Sequence, residues 1–144
     1  MKRGLIGVVC VASLLVAGCG GSSDRASTGP ATTREAACAK LVPAKKRYVA
    51  ETEKMGLRFF DKFYELPARS AAEAFLSRAR ETQKFTAGAD RRVLDKLATA
   101  LDLQVKTFLA FEVHNEGEAK KYGDKINAPL TESLSKLHTV CPGA

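Results

Sequence analysis

The 144-residue sequence has no tryptophan, only two histidines, two methionines and five prolines, and negative charge is its scarcer sign, with 16 Asp and Glu against 23 Lys and Arg. Each scarcity excludes something. No Cys-x-x-Cys-His and no Glu-x-x-His motif occurs, so neither a covalent haem nor a ferritin-like di-metal centre is supported. Ser, His and Asp occur without a nucleophile elbow, and no glycine-rich phosphate loop is present, so the chain is not expected to be an enzyme. Five prolines and 11 glycines beside 45% apolar residues argue against a collagen-like, low-complexity or wholly disordered chain. At this length the chain can bury one core, which is the size of a single small domain.

Only one long apolar run is present, at residues 5–17, and it falls short of the roughly 20 residues a membrane-spanning helix needs. Lys2 and Arg3 precede it, and Gly18, Cys19, Gly20 and Gly21 follow. That order is the n-region, h-region and small-residue exit of a secretory signal. Within it, Val16-Ala17-Gly18-Cys19 resembles the lipobox of bacterial lipoprotein precursors. The resemblance implies that export and lipoprotein-processing machinery attaches a diacylglycerol to the thiol of Cys19 and cuts just before it. Two or more acyl chains then hold the protein at the outer face of the cell membrane, where one chain would anchor it only marginally. The competing reading is an ordinary cleaved signal with a coincidental cysteine. More broadly, the lipobox, the Ser/Thr/Gly tether and the Ala-rich body are similar in style to short helical lipoproteins of the actinobacterial type. This transfers a location and no activity. Losing Lys2 and Arg3 with the signal leaves 21 positive against 16 negative side chains, about +5. On the far side of a membrane that excess suits anionic head groups or envelope polymers, and no nucleic acid is expected as a partner.

Three segments follow: a signal peptide at 1–18, the lipidated Cys19 with a flexible tether at 19–33, and a helical domain at 34–144. The tether reads GGSSDRASTGPATT, and fourteen such residues have a root-mean-square reach of about 20 Å. Beyond it, apolar residues recur at steps of three and four with no competing alternation, so the fold class is all-α. Helices are expected at about 33–65, 70–86, 90–114 and 116–140. Thr32 with Glu35 and Ser70 with Glu73 have capping-box spacing, and Asp90 and Asn115 are suitable N-caps. The second helix has the weakest stripe and has the alternative of fusing with the third. Pro43 predicts a kink or a restart at 44, Leu66-Pro67 an end, and Pro129 a kink within a continuous last helix.

If Cys10 leaves with the signal and Cys19 takes lipid, Cys38 and Cys141 remain in an oxidising compartment and are expected to form a disulfide, the alternative being two buried thiols. Such a bridge brings the first and last helix ends together, which in an up-and-down bundle requires an even number of helices. An up-and-down four-helix bundle fits. That topology puts the start of the first helix, the 86–90 loop and the carboxyl end nearest the membrane.

Candidate sites follow from it. Phe59, Phe63, Phe75, Phe108 and Tyr122, with Phe60, Tyr64 and Phe111, fall in the distal half, where they either line a pocket for an apolar ligand or cap the core. Lys45, Lys46 and Arg47, with Arg91 and Arg92 at the same proximal end, are candidate lipid head-group contacts or simply a solvated face. Glu112, His114 and Glu116 could hold an exposed metal only weakly, so neither metal nor cofactor is expected. The leading functional expectation is a non-enzymatic module that contacts another envelope protein or polymer; the alternative is a carrier of a small apolar ligand.

Overall fold

The computed structural model describes residues 30–56 and 65–144, and every element within them is helical. Five helices result: α1 (Arg34–Gly56), α2 (Glu65–Gln83), α3 (Gly88–Glu112), α4 (Glu116–Gly123) and α5 (Asn127–Val140). The expected continuation of the first helix to residue 65 lies outside the described residues.

Proline positions correct the expected boundaries. α1 is capped by Thr33, not Thr32, whose Oγ1 accepts from the Ala36 N–H at 3.2 Å. It then continues through Pro43 without the expected restart at 44. Both Pro43 and Ala39, whose carbonyl loses its partner, lie on the exposed face, where water can satisfy the freed oxygen. Pro67 does not end a helix; it sits in the first turn of α2, five residues ahead of the expected start near 70, and Ser70 is interior. Pro129 likewise belongs to the first turn of α5 rather than kinking one long final helix. In both places the missing N–H has no intrahelical acceptor to lose, so proline is tolerated at little cost. The expected 116–140 helix is therefore divided by a turn at 124–126, where Lys125 and Ile126 donate to the carbonyls of Tyr122 and Gly123.

α2 and α3 are two helices, not one. Lys84, Phe85 and Thr86 each donate three residues back, and Gly88 opens α3 at φ +58, a left-handed conformation that strains any side chain. Asp90 is not the N-cap of α3. That position is Ala87, which offers no side-chain cap, and Asp90 stands in the first turn. α3 ends with His114 at φ 56: its N–H donates to Phe111 and that of Asn115 to Ala110, a Schellman closure with histidine where glycine is usual. Asn115 caps α4 as expected, accepting from the Glu118 N–H at 3.1 Å.

α1 packs on α2, α2 on α3, and α3 on both α4 and α5. Cross-helix pairs give the directions. Lys40 with Glu81 and Arg69 with Glu112 run α2 antiparallel to its neighbours, as Lys96 with Glu132 does for α3 and α5. Arg34 with Asp90 and Tyr48 with Gln104 are each 56 residues apart, so α1 and α3 run parallel in constant register. The core forms between them from Leu41, Tyr48, Phe75, Leu94, Leu97, Leu101, Phe108 and Leu137. α2, expected to have the weakest stripe, is deeply buried, with Ala68, Ala71, Ala72, Phe75 and Ala79 at 0% exposure. Small side chains let it lie close against two helices at once.

Candidate functional site

The best-built part of the molecule is the end where the start of α1, the α2–α3 turn and the end of α5 meet. Three ties converge on it. Cys38 and Cys141 are bonded across 103 residues, with Cα atoms 5.3 Å apart and both side chains buried. One turn earlier, the Arg34 guanidinium donates from Nη2 to Asp90 Oδ2 at 2.6 Å and to the Val140 carbonyl at 2.7 Å, joining α1, α3 and α5 through one planar group. The third tie holds the incoming chain itself: the Ala31 N–H donates to Glu81 Oε1 at 2.5 Å. Arg78 holds the other oxygen of that carboxylate at 2.7 Å, and Lys40 approaches to 3.6 Å.

These donors stabilise the charged form of Glu81. The Ala31 amide and the Arg78 hydrogen bond push its pKa below the usual carboxylate value of 4.5, against burial, which raises it. A folded-state pKa below the unfolded one contributes stability that is present above about pH 4.5 and lost as the pH falls through the lowered folded value. Replacing Glu81 with Gln is expected to cost about 1–2 kcal/mol near neutrality and to flatten that acid limb. Urea titrations across pH 3–7 check both.

In the middle of the domain Tyr48 and Phe75 pack with ring centroids 5.4 Å apart and a tilt of 36°, and the Tyr48 hydroxyl donates to Gln104 Oε1. Phe75, one of the aromatics expected in the distal half, thus packs on Tyr48 in the middle of the domain. Burial pushes the phenol up to about 12, with the Gln104 hydrogen bond pulling the other way. Since the unfolded phenol ionises near 10, this contribution to stability is fully present below pH 10 and disappears as the pH rises towards 12. Wild type is expected to lose about 2–3 kcal/mol across that window and Tyr48→Phe to lose none of this part, as denaturant midpoints at pH 9 and 12 would reveal.

Other expected site residues are distributed as follows. Cys19, Phe59 and Phe63 lie outside the described residues, as do Phe60 and Tyr64. Phe75 and Phe108 are core, and Tyr122 is half-buried. Lys45 and Lys46 line a cleft of about 350 Å³ between α1 and the carboxyl-terminal residues, floored by Val42, Val49 and Ala50. Arg47, Arg91 and Arg92 are exposed. The two basic groups do not form one patch. With the 56-residue register of α1 on α3, Lys46 is level with Asp102, ten residues or about 15 Å above Arg92. Glu112 is committed to Arg69, which reaches its two oxygens at 2.7 and 2.6 Å, so it does not join His114 and Glu116. Among the described residues no group of three metal-ligating side chains occurs, and no helix is long and apolar enough to cross a membrane.

No protein-family model, curated protein or solved structure matches this chain. Its reading rests on its own residues. Among them, Arg34 and Glu81 escape sequence inspection because Asp90, Val140, Ala31 and Lys40, which they meet, are far along the chain; the local signals are charge beside an apolar stripe and, for Glu81, Arg78 three residues earlier.

Proposed function

We propose that the chain is a lipid-anchored envelope module: exported, acylated on Cys19, and held on the extracytoplasmic face of the membrane as a non-enzymatic helical body that contacts an envelope protein or polymer. The observation that carries this is the sequence Val16-Ala17-Gly18-Cys19 at the exit of a short apolar run behind Lys2 and Arg3. The bonded pair Cys38–Cys141 supports it, because such a bridge persists in an oxidising compartment. In this reading α4 and α5 together serve as the fourth rod of an up-and-down four-helix bundle, and the stapled end faces the anchor.

The large apolar side chains exposed among the described residues support the contact role. Leu66, Leu109 and Val113 are 56%, 43% and 73% exposed and belong to the start of α2 and the end of α3, the end remote from the disulfide. Apolar side chains exposed away from the bilayer suit a partner. In cells, Cys19→Ala is expected to abolish acyl labelling and processing and to leave the uncut precursor, while wild type fractionates with membranes as the shorter acylated form. Identical size and labelling of the two would defeat the proposal.

A further inference from the structure

The charge left over at the stapled end matches a particular surface. Half of the described cations of the domain are paired with carboxylates, among them Arg34 with Asp90, Lys40 and Arg78 with Glu81, Arg80 and Lys106 with Asp102, and Lys96 and Lys136 with Glu132. Lys84 in the α2–α3 turn and Arg91 and Arg92 in the first turn of α3 are exposed and, among the described residues, enter no ion pair. Among the described residues two exposed carboxylates at this end, Glu35 and Asp95, enter no ion pair, Asp95 accepting only from the neutral Gln83 amide, while Asp90 and Glu81 are paired with cations. Around α4, among the described residues, Lys120, Lys121 and Lys125 are matched in number by Glu116, Glu118 and Asp124.

The incoming chain emerges at this same cationic end. Ala31 is fixed to Glu81, one turn before Lys84, and Pro30 shares a cleft with Glu81 and Lys84. We propose that this end, through Lys84, Arg91 and Arg92, docks the domain end-on against an anionic bilayer. The proposal rests on the lipid-anchor reading for the bilayer's proximity. On that reading only the short stretch between Cys19 and the fixed Ala31 separates body from anchor, so the surface stands at high effective concentration and weak attraction suffices to orient the body. Each cation near an anionic surface favours contact by about fivefold, and three by roughly a hundredfold, at low salt.

Residue-resolved amine labelling tests this without altering the fold. The native chain is incorporated in vesicles of phosphatidylglycerol with phosphatidylcholine, or of phosphatidylcholine alone, and treated with a water-soluble amine reagent. Lys84 is expected to react about fivefold more slowly on the anionic vesicles, with Lys45, Lys46, Lys120 and Lys121 unchanged and the difference abolished by high salt or by R91E with R92E. Equal Lys84 rates on the two vesicles overturn the proposal. So does slowing centred on Lys45 and Lys46, which would mean the domain lies on its side. The same spectra read the Cys19 peptide: an acylated Cys19 with unprotected Lys84 defeats the docking alone. An unmodified Cys19 defeats the anchor, and the docking is then read from chain added to preformed vesicles.

Discussion

Replacing Cys38 and Cys141 with alanine lowers the stability of the helical domain by about 4–5 kcal/mol. The bridge spans 103 residues, nearly the whole domain, so opening it releases the unfolded chain from its largest possible loop. The folded state loses less, because Arg34 still joins Asp90 to the Val140 carbonyl at the same end. Wild-type protein under reducing conditions behaves like the variant. For a domain of this size the loss corresponds to roughly 20 °C in thermal midpoint, readable by circular dichroism with and without reductant. A shift of a few degrees would mean that the noncovalent ties at this end already hold the chain.

Phe75→Ala has an effect of the same order, about 3–5 kcal/mol. The ring is wholly buried on α2 and packs against Tyr48, so truncation leaves a void that flanking alanines, Ala71, Ala72 and Ala79, have no atoms to fill. Phe111→Ala, at a half-buried position, is expected to cost less than half as much. Phe75→Ala also carries a spectroscopic mark. Water entering the void brings the Tyr48 phenol back from about 12 towards 10, so alkaline difference absorbance moves with the loss of stability. Destabilisation without that movement would place the void away from the hydroxyl.

Helical class and the inward face of α3 were legible because Leu94, Leu97, Leu101 and Phe108 repeat at the spacing that only one kind of element can bury. Asn115 was legible for a local reason, since a cap acts within three residues. The pairing of Cys38 with Cys141 followed from how few cysteines an exported, lipidated chain would have left, and the structure bonds them. Prolines misled because one rule has two outcomes. The absent N–H breaks a helix interior but is harmless in a first turn, and nothing local to Pro67 or Pro129 says which turn it occupies. At Pro43 solvent exposure decided the matter, which a sequence does not display.

α2 was undervalued for another reason. Alanine scores low as a hydrophobe, yet its small volume is what admits a helix between two neighbours, so Ala68, Ala71 and Ala72 bury completely. The candidate site was the least legible part. Arg34 with Asp90, and Ala31 and Lys40 with Glu81, are long-range pairs that leave no periodic trace. Asp90 has the residue type of a cap and was used as a salt-bridge partner instead. The axial offset between the Lys45–Arg47 group and Arg91 with Arg92 likewise depends on helix register, which becomes visible only when two pairs share the same separation.

Intact-mass and peptide spectrometry of the protein recovered from its native envelope tests the central claim most directly. The account predicts a chain that begins at Cys19 and carries a diacylglycerol on that thiol, with Cys38 and Cys141 oxidised to each other. A chain retaining Met1, or one with a free thiol at position 19, would contradict it.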